Sequence, residues 1–424
     1  MAFQQGLSGL YAASKALDVT SNNVANSATV GFKSAQAHFA DVFAASLSGG
    51  GSAQVGIGTS VGAIQQQFTQ GNITTTNNPL DISINGGGFY RMSTNGTITY
   101  SRAGQFHLDK DGYVIDDRAR KLTGYLADAS GTIVKAAPAE LQLSSANQDP
   151  VATGPAGDPA GGVKASLNFD SRSLVPAVAF NKDTPASYNF STATAIYDSL
   201  GISHTLTMYA VKTAGVGTWD VYASVDGTSP VNTGLATNAL TFDTSGKLTG
   251  TGILSASVDL DAVVLAVTPA TPNSAISPLT FDINFANSTQ FGSAFGTNSL
   301  QQNGYTSGRL TGVNVGSDGV IRGNYSNGQA RDLGQVVLTS FTNPNGLTSL
   351  GGNQWAETSA SGSALDGAPN TGTLGVLQSA AVEESNVDLT AELVNMITEQ
   401  RNYQANAQSI KTQDQIMQTL VNLR

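Results

Sequence analysis

Cysteine is absent from the 424 residues. Disulfides and thiolate-bound metals are thereby excluded, and the absence suits a protein that crosses to an oxidising exterior without cross-linking. Charge is scarce. Asp, Glu, Lys and Arg make up 12% of the chain, about half the usual ~25%. The net charge is −10 and no cluster of Lys or Arg stands out, so nucleic acid is not an expected partner. No apolar run approaches the ~20 residues of a membrane span, so no membrane insertion is expected. The N-terminus lacks the charged and continuous apolar regions of a secretory signal peptide. An exterior location would therefore need a dedicated export route without cleavage.

What the chain has instead is glycine, 47 of it, with plentiful Ser, Thr, Asn and Gln. This is a neutral, turn-rich, β-leaning composition, and the length suits two to four domains.

The two ends differ from the rest. Leu389, Leu393, Met396, Gln400, Tyr403, Ala407, Ile410, Asp414, Met417 and Val421 fall at alternating steps of four and three, a heptad seam. No Gly or Pro interrupts it, Asp388 and Thr390 stand where a cap belongs, and the helix would be roughly 50 Å long. Phe3, Leu7, Leu10, Ser14, Leu17, Ser21 and Val24 repeat the spacing at the other end, predicting a helix over 3–25. Both seams are thin and broken by polar residues, so neighbouring copies are expected to complete them. A chain leaving along one helix and returning along another should be nested, with inner segments forming domains further out.

The first helix ends in Asn22-Asn23-Val24-Ala25-Asn26, followed by Thr29 and Gly31-Phe32-Lys33. So many side chains able to bond backbone predict a fixed turn. This stretch resembles the N-terminal signature of the bacterial flagellar axial proteins of rod, hook and hook–filament junction. Ser385-Asn386-Val387-Asp388-Leu389, with Gln400-Arg401-Asn402-Tyr403-Gln404-Ala405-Asn406, is similar to that family's C-terminal signature.

Between the ends, residues 31–71 and 359–379 read as Gly/Ser-rich connectors, the first with a short helix at its start. Residues 72–146 and 287–358 read as one discontinuous β-rich inner domain. Its hairpin signals include Asn95-Gly96, Asp111-Gly112 and Asp318-Gly319. Residues 147–286 read as an inserted β-rich outer domain, and 1–30 with 380–424 as the helical core domain. Gly86-Gly87-Gly88-Phe89 resembles the first β-rich domain of the hook and distal rod proteins within that family, and Tyr325-Ser326-Asn327-Gly328 and Phe341-Thr342-Asn343-Pro344 resemble stretches of its hook proteins.

Chemistry is hard to find. Gly58-Thr59-Ser60-Val61-Gly62 formally matches a hydrolase nucleophile elbow, but the residues after it read as a strand. Asp109, Asp111, Asp116 and Asp117 miss the EF-hand spacing and read as turn acids. His38, His107 and His204 lie far apart with no ligand-like spacing. Glu383-Glu384 reads as surface charge before a helix N-terminus. No enzymatic activity, metal or cofactor is expected.

The resemblance implies a structural subunit of the flagellar hook: an exported, extracellular homo-polymer, forming a curved flexible tube that joins rod to filament and transmits torque as a universal joint. It also implies the distal rod, hook cap and hook–filament junction proteins as partners. Self-assembly is expected to rest on Phe3, Leu7, Leu10, Leu17, Asn22, Asn23, Val24 and Asn26. At the other end it is expected to rest on Leu389, Leu393, Met396, Tyr403, Ala407, Ile410, Met417 and Val421. The alternatives are another axial protein, distal rod or junction, and a secreted β-rich adhesin with helical ends.

Overall fold

The structure is a computed structural model and describes residues 2–42, 56–128, 130–144, 146–154, 162–227, 239–260 and 274–422. Helices α1 (Ala2–Ala25) and α2 (Leu389–Asn422) stand at the two ends, and the described regular structure between them is strand apart from two 3-10 turns. The fold is mainly β with helical termini. The chain divides into two compact units, one of residues 1–145, 311–324 and 330–424, the other of residues 146–310 and 325–329.

In the first unit the outgoing and returning chain pair with each other. Ile73–Thr75 runs antiparallel to Ala381–Glu383, and Ile82–Asn85 to Val376–Ser379. The nesting expected from the matched ends is thus built strand by strand. Phe89–Thr94 and Thr97–Ser101 form a hairpin. Its Asn95-Gly96 turn has positive φ at both residues, 50° and 86°, the geometry that matches strand twist. Returning strands extend this sheet: Leu338–Ser340 pairs with Phe89–Thr94, and Ala330–Val336 with Lys121–Leu126. Ile82, Ile84, Tyr90, Met92, Leu122, Val336 and Leu338 close one core. Phe89, Tyr100, Phe341 and Trp355 form a second cluster, with rings meeting edge to face as their quadrupoles favour.

Residues 31–71 are more regular than a connector. Strands β1 (Ala35–Val42) and β2 (Gly58–Gln66) form an antiparallel hairpin, where the sequence suggests a short helix and irregular chain ahead of the strand that it reads after Gly62. The physical reason is alternation: Ala35 and Ala37 are half-buried while Gln36 and His38 are exposed. Such small inward residues let a two-stranded ribbon lie against a helix. The hairpin is tied to α1 by the Thr59 N–H, which donates to the Ser8 hydroxyl at 3.3 Å, and by the Gln5 amide, which donates to the Gly56 carbonyl. Phe43, Leu47 and the Gly/Ser-rich run from Gly49 through Val55 lie outside the described residues. The second connector is also partly strand, since Leu365–Gly367 pairs with Leu338–Ser340.

The second unit has two five-stranded sheets among its described residues. One is a meander of Phe190–Tyr197, Ser203–Lys212, Thr218–Val225, Ala239–Phe242 and Leu248–Thr249. The other surrounds Val163–Asp170, which pairs in parallel with Leu279–Asn284 and Thr289–Phe291 and antiparallel with Gly296–Gln302. Alternate residues of both sheets, among them Leu206, Met208, Trp219, Leu167 and Phe169, share one core. The outer block therefore runs to Leu310 rather than ending at residue 286. The reason is that Thr289–Phe291 and Gly296–Gln302 find their hydrogen-bond partners on Val163–Asp170, not on the sheet begun at Asn72.

Candidate functional site

Helices α1 and α2 form one antiparallel pair. A Cβ on Gly6 would lie 3.1 Å from Ile410 Cγ1, and one on Gly9 would lie 2.6 Å from Asn406 Oδ1. At the far end the Asn23 amide reaches Glu392 Oε1 at 3.4 Å. Gly6 opposite Ile410, Gly9 opposite Asn406 and Asn23 opposite Glu392 define a single register. In that register the turns of α2 from Ile416 onward lie past the first residue of α1.

The facing stripe is not the apolar seam. Gly6, Gly9, Ala13, Ala16, Thr20 and Asn23 step by three and four, and the last four are buried. They sit one position round from the large apolar residues. Small side chains let the helix axes approach, so the pair closes on glycine and alanine and turns its bulk outward. Phe3 and Leu7 are 52% and 51% exposed. Leu10, Leu17 and Val24 are half-buried. On α2, Leu389, Leu393, Tyr403, Met417 and Val421 are exposed, while Met396, Ala407 and Ile410 are half-buried against the pair. Asp388 caps α2, its Oδ1 accepting from the N–H groups of Thr390 and Ala391 at 2.9 and 3.1 Å.

The asparagines of the first signature divide. Asn23 is buried and clamps β1, donating to the Ala35 carbonyl at 2.8 Å and accepting from the Ala35 N–H at 2.9 Å. Asn22 is exposed. Asn26 is half-buried and donates back to the Asn22 carbonyl at 2.9 Å, closing the turn that ends α1.

Beneath the helices the two signatures meet in a buried knot. Lys33 Nζ lies 2.6 Å from Glu383 Oε1 and donates to the Thr69 carbonyl at 2.7 Å. The Gly71 N–H donates to the same Glu383 oxygen at 2.9 Å. Arg102 Nη1 stands 3.4 Å from Glu383 Oε2, with its guanidinium 5.3 Å from the Phe89 ring centre. Burial lowers the Lys33 and Arg102 pKa values from their ordinary ranges, and Glu383 partly opposes both shifts. Burial likewise pushes the Tyr90 hydroxyl up. Asn386 completes the knot: it accepts from the Ser34 N–H at 2.8 Å and donates to the Gln67 carbonyl at 2.7 Å. Gly31 has φ +69°, and a Cβ there would lie 2.6 Å from the Ala103 nitrogen. Only glycine fits both demands.

Glu383 is thus not surface charge. Exposed Glu384 alone keeps that description. Charge counting missed Glu383 because its two cations lie far away in sequence. The small-residue stripe of α1 was visible as a three–four repeat but is fainter than the leucines beside it.

The other candidates resolve simply. Ser60 is mid-strand in β2, opposite Ala40, with no turn around it. Asp109 accepts from the N–H groups of Asp111 and Tyr113, and Asp116 from those of Arg118 and Arg120. Both acids hold turns. His38 and His107 are exposed. His204 is buried, with Nδ1 2.7 Å from Asp226 and Nε2 3.5 Å from Asp198. Among the described residues no three His, Asp or Glu side chains are grouped to hold a metal ion, and no helix is long and apolar enough to cross a membrane.

Four family models match in chain order. They are "Flagella basal body rod protein" over residues 3–33, "Flagellar hook protein FlgE/F/G D1 domain" over 83–144, "Flagellar basal body protein FlaE D2 domain" over 168–305 and "Flagellar basal body rod FlgEFG protein C-terminal" over 378–423. The flagellar hook protein FlgE of Escherichia coli K12 is 41% identical, with all of both chains covered. That of Salmonella typhimurium LT2 is 43% identical at the same coverage. That of Borreliella burgdorferi is 30% identical over 99% of this chain and 98% of its own. With helical ends locked by both signatures and relatives matched end to end, the chain belongs to the flagellar hook protein family.

Proposed function

We propose that this structural subunit polymerises through its terminal helix pair, which packs side by side with the pairs of neighbouring copies to line the hook's inner wall. The observation that carries this reading is the outward-facing bulk of the pair. Phe3, Leu7, Leu393, Met417 and Val421 are exposed although the small-residue face of α1 is buried. α2 has 34 residues against 24 in α1, and its last turns pass beyond α1. Such a stripe, unpaired within the chain, gains about 25 cal/mol for each Å² it loses to water on assembly.

The residues around Val163–Asp170 then lie at the outer surface of the tube. Close-packed interiors resist strain, so the lengthening and shortening of each subunit row in a turning, bent tube is taken up by sliding between neighbouring subunits. Hook assembly takes place outside the cell, after export. The distal rod protein joins one end of the polymer, the junction protein the other, and a cap protein covers the growing tip.

Antibody raised against residues 162–227, viewed on isolated flagella by electron microscopy, tests the outward placement. Label along the curved segment between cell body and filament is expected. Hooks that exclude the antibody until they are depolymerised would contradict it. The full-length match of the hook relatives supports this reading over a distal rod or junction subunit, and over an adhesin.

A further inference from the structure

We infer that Arg401 of one copy docks into a groove of a second copy, bounded by α1, β1 and α2, where Glu392 and Glu399 stand without a cation. The inference rests on the side-by-side packing proposed above and names a contact that orients it.

The groove has a volume of about 370 Å³. Val19, Thr20, Ala37 and Phe39 wall it, Glu392 and Glu399 lie along its α2 edge, and no Lys or Arg lines it. Each carboxylate meets one side-chain amide only weakly: Asn23 to Glu392 at 3.4 Å and Asn402 to Glu399 at 3.2 Å. An ionised carboxylate has about four acceptor positions, so both keep capacity toward the groove.

Arg401 is exposed, and its guanidinium has no partner among the described residues. At about 100° per residue, it points roughly 200° away from Glu399 and 180° away from Glu392. The cation and the carboxylates therefore occupy opposite faces of one helix and cannot meet within one chain. Complementary patches on opposed faces make a head-to-tail contact, the kind that generates rings and helical arrays.

The surroundings match as well. Val394 and Ile397 share the Arg401 face, 58% and 52% exposed, and Phe39 in the groove is 43% exposed. Docking would cover apolar surface on both sides while the planar, five-donor guanidinium spans the two acids. Partial exclusion of water strengthens the charge contact.

Charge reversal in purified full-length chains tests this. Arg401→Glu alone and Glu392→Arg/Glu399→Arg alone should each need at least tenfold more protein to polymerise. An equimolar mixture should polymerise near the wild-type concentration, because each variant supplies the face the other lacks. Polymerisation of Arg401→Glu alone at the wild-type concentration would overturn the inference, as would a mixture no better than its parts. A second measurement does not depend on charge. The chain has no cysteine, so Arg401→Cys/Glu399→Cys should yield a covalent ladder when assembled hooks are treated with a short bis-maleimide, which spans the reach of an Arg–Glu pair where a disulfide does not; products of monomer size alone would overturn it. Leu393→Asp separates this inference from the packing it rests on. If Arg401→Glu polymerises normally while Leu393→Asp stays monomeric, the Arg401 contact is overturned and helix packing stands. If both polymerise normally, both are overturned.

Discussion

Lys33 Nζ lies 2.6 Å from Glu383 Oε1, and both side chains are fully buried. The pair bolts the outgoing chain to the returning chain directly beneath the helices. Removing one partner from a buried pair leaves an uncompensated charge, at a cost of about 3–5 kcal/mol. Glu383→Gln strands two cations, Lys33 and Arg102, and should lower stability by that amount in urea unfolding. Lys33→Met/Glu383→Gln should lose less than the sum of the single changes, because neighbours in one network are not additive. An unchanged midpoint for Glu383→Gln would contradict the role given to this pair.

Asn386 acts on backbone rather than charge. It satisfies the Ser34 N–H and the Gln67 carbonyl together. Asn386→Ala leaves both without that partner, at about 1–3 kcal/mol for a buried unsatisfied group. Hydrogen exchange should show Ser34 losing protection first. Wild-type protection at Ser34 in this variant would show that the contact does not hold the turn.

Gly104 marks a close approach inside the first unit. A Cβ there would overlap the Ile82 carbonyl oxygen, which accepts from the buried Tyr90 hydroxyl. Backbone has no rotamer with which to yield. Gly104→Ala should destabilise by about 1–3 kcal/mol in thermal unfolding, whereas Gly96→Ala, with open space around it, should suffer only from its positive φ. A thermally neutral Gly104→Ala would contradict this packing.

In the second unit Asp170 carries a pH signature. The Arg172 guanidinium bonds its carboxylate at 2.9 Å, the Arg172 N–H adds a further bond, and the pKa falls from 3.8 to about 2. The folded carboxyl binds its proton less readily than the unfolded one. Its contribution is therefore full above 3.8 and is lost as pH falls toward 2. Arg172→Ala should raise the midpoint in an NMR titration, yet leave it below 3.8, because the backbone N–H remains. A midpoint still near 2 would remove Arg172 as the cause.

The sequence showed the plan better than the contacts. Heptad spacing at both ends revealed the helices, Asp388 the cap and Asn95-Gly96 the hairpin, because each is a local signal read within a few residues. Which face of α1 meets α2 was hidden. The eye follows Phe3, Leu7 and Leu10, but close approach selects Gly6 and Gly9, whose value exists only once a second helix is present. Glu383 looked solvated because Lys33 and Arg102 are distant in sequence. The second unit's limit was misplaced because Gly296–Gln302 carries no mark of pairing with Val163–Asp170. The strand after Gly62 was legible, but its partner β1 was missed because Val42 is the one β-branched residue in Ala35–Val42, and such residues usually announce a strand.

The central claim is that the outward bulk of the helix pair drives polymerisation. Sedimentation of purified full-length chain carrying Leu7→Asp and Leu393→Asp tests it most directly, with circular dichroism as the check on folding. Both side chains are exposed in the single chain, so the variant should keep the wild-type unfolding midpoint and remain monomeric where the wild-type chain forms tubes. Tubes of normal diameter at the wild-type concentration would contradict the claim, and would move the polymerising surface to the β-rich units.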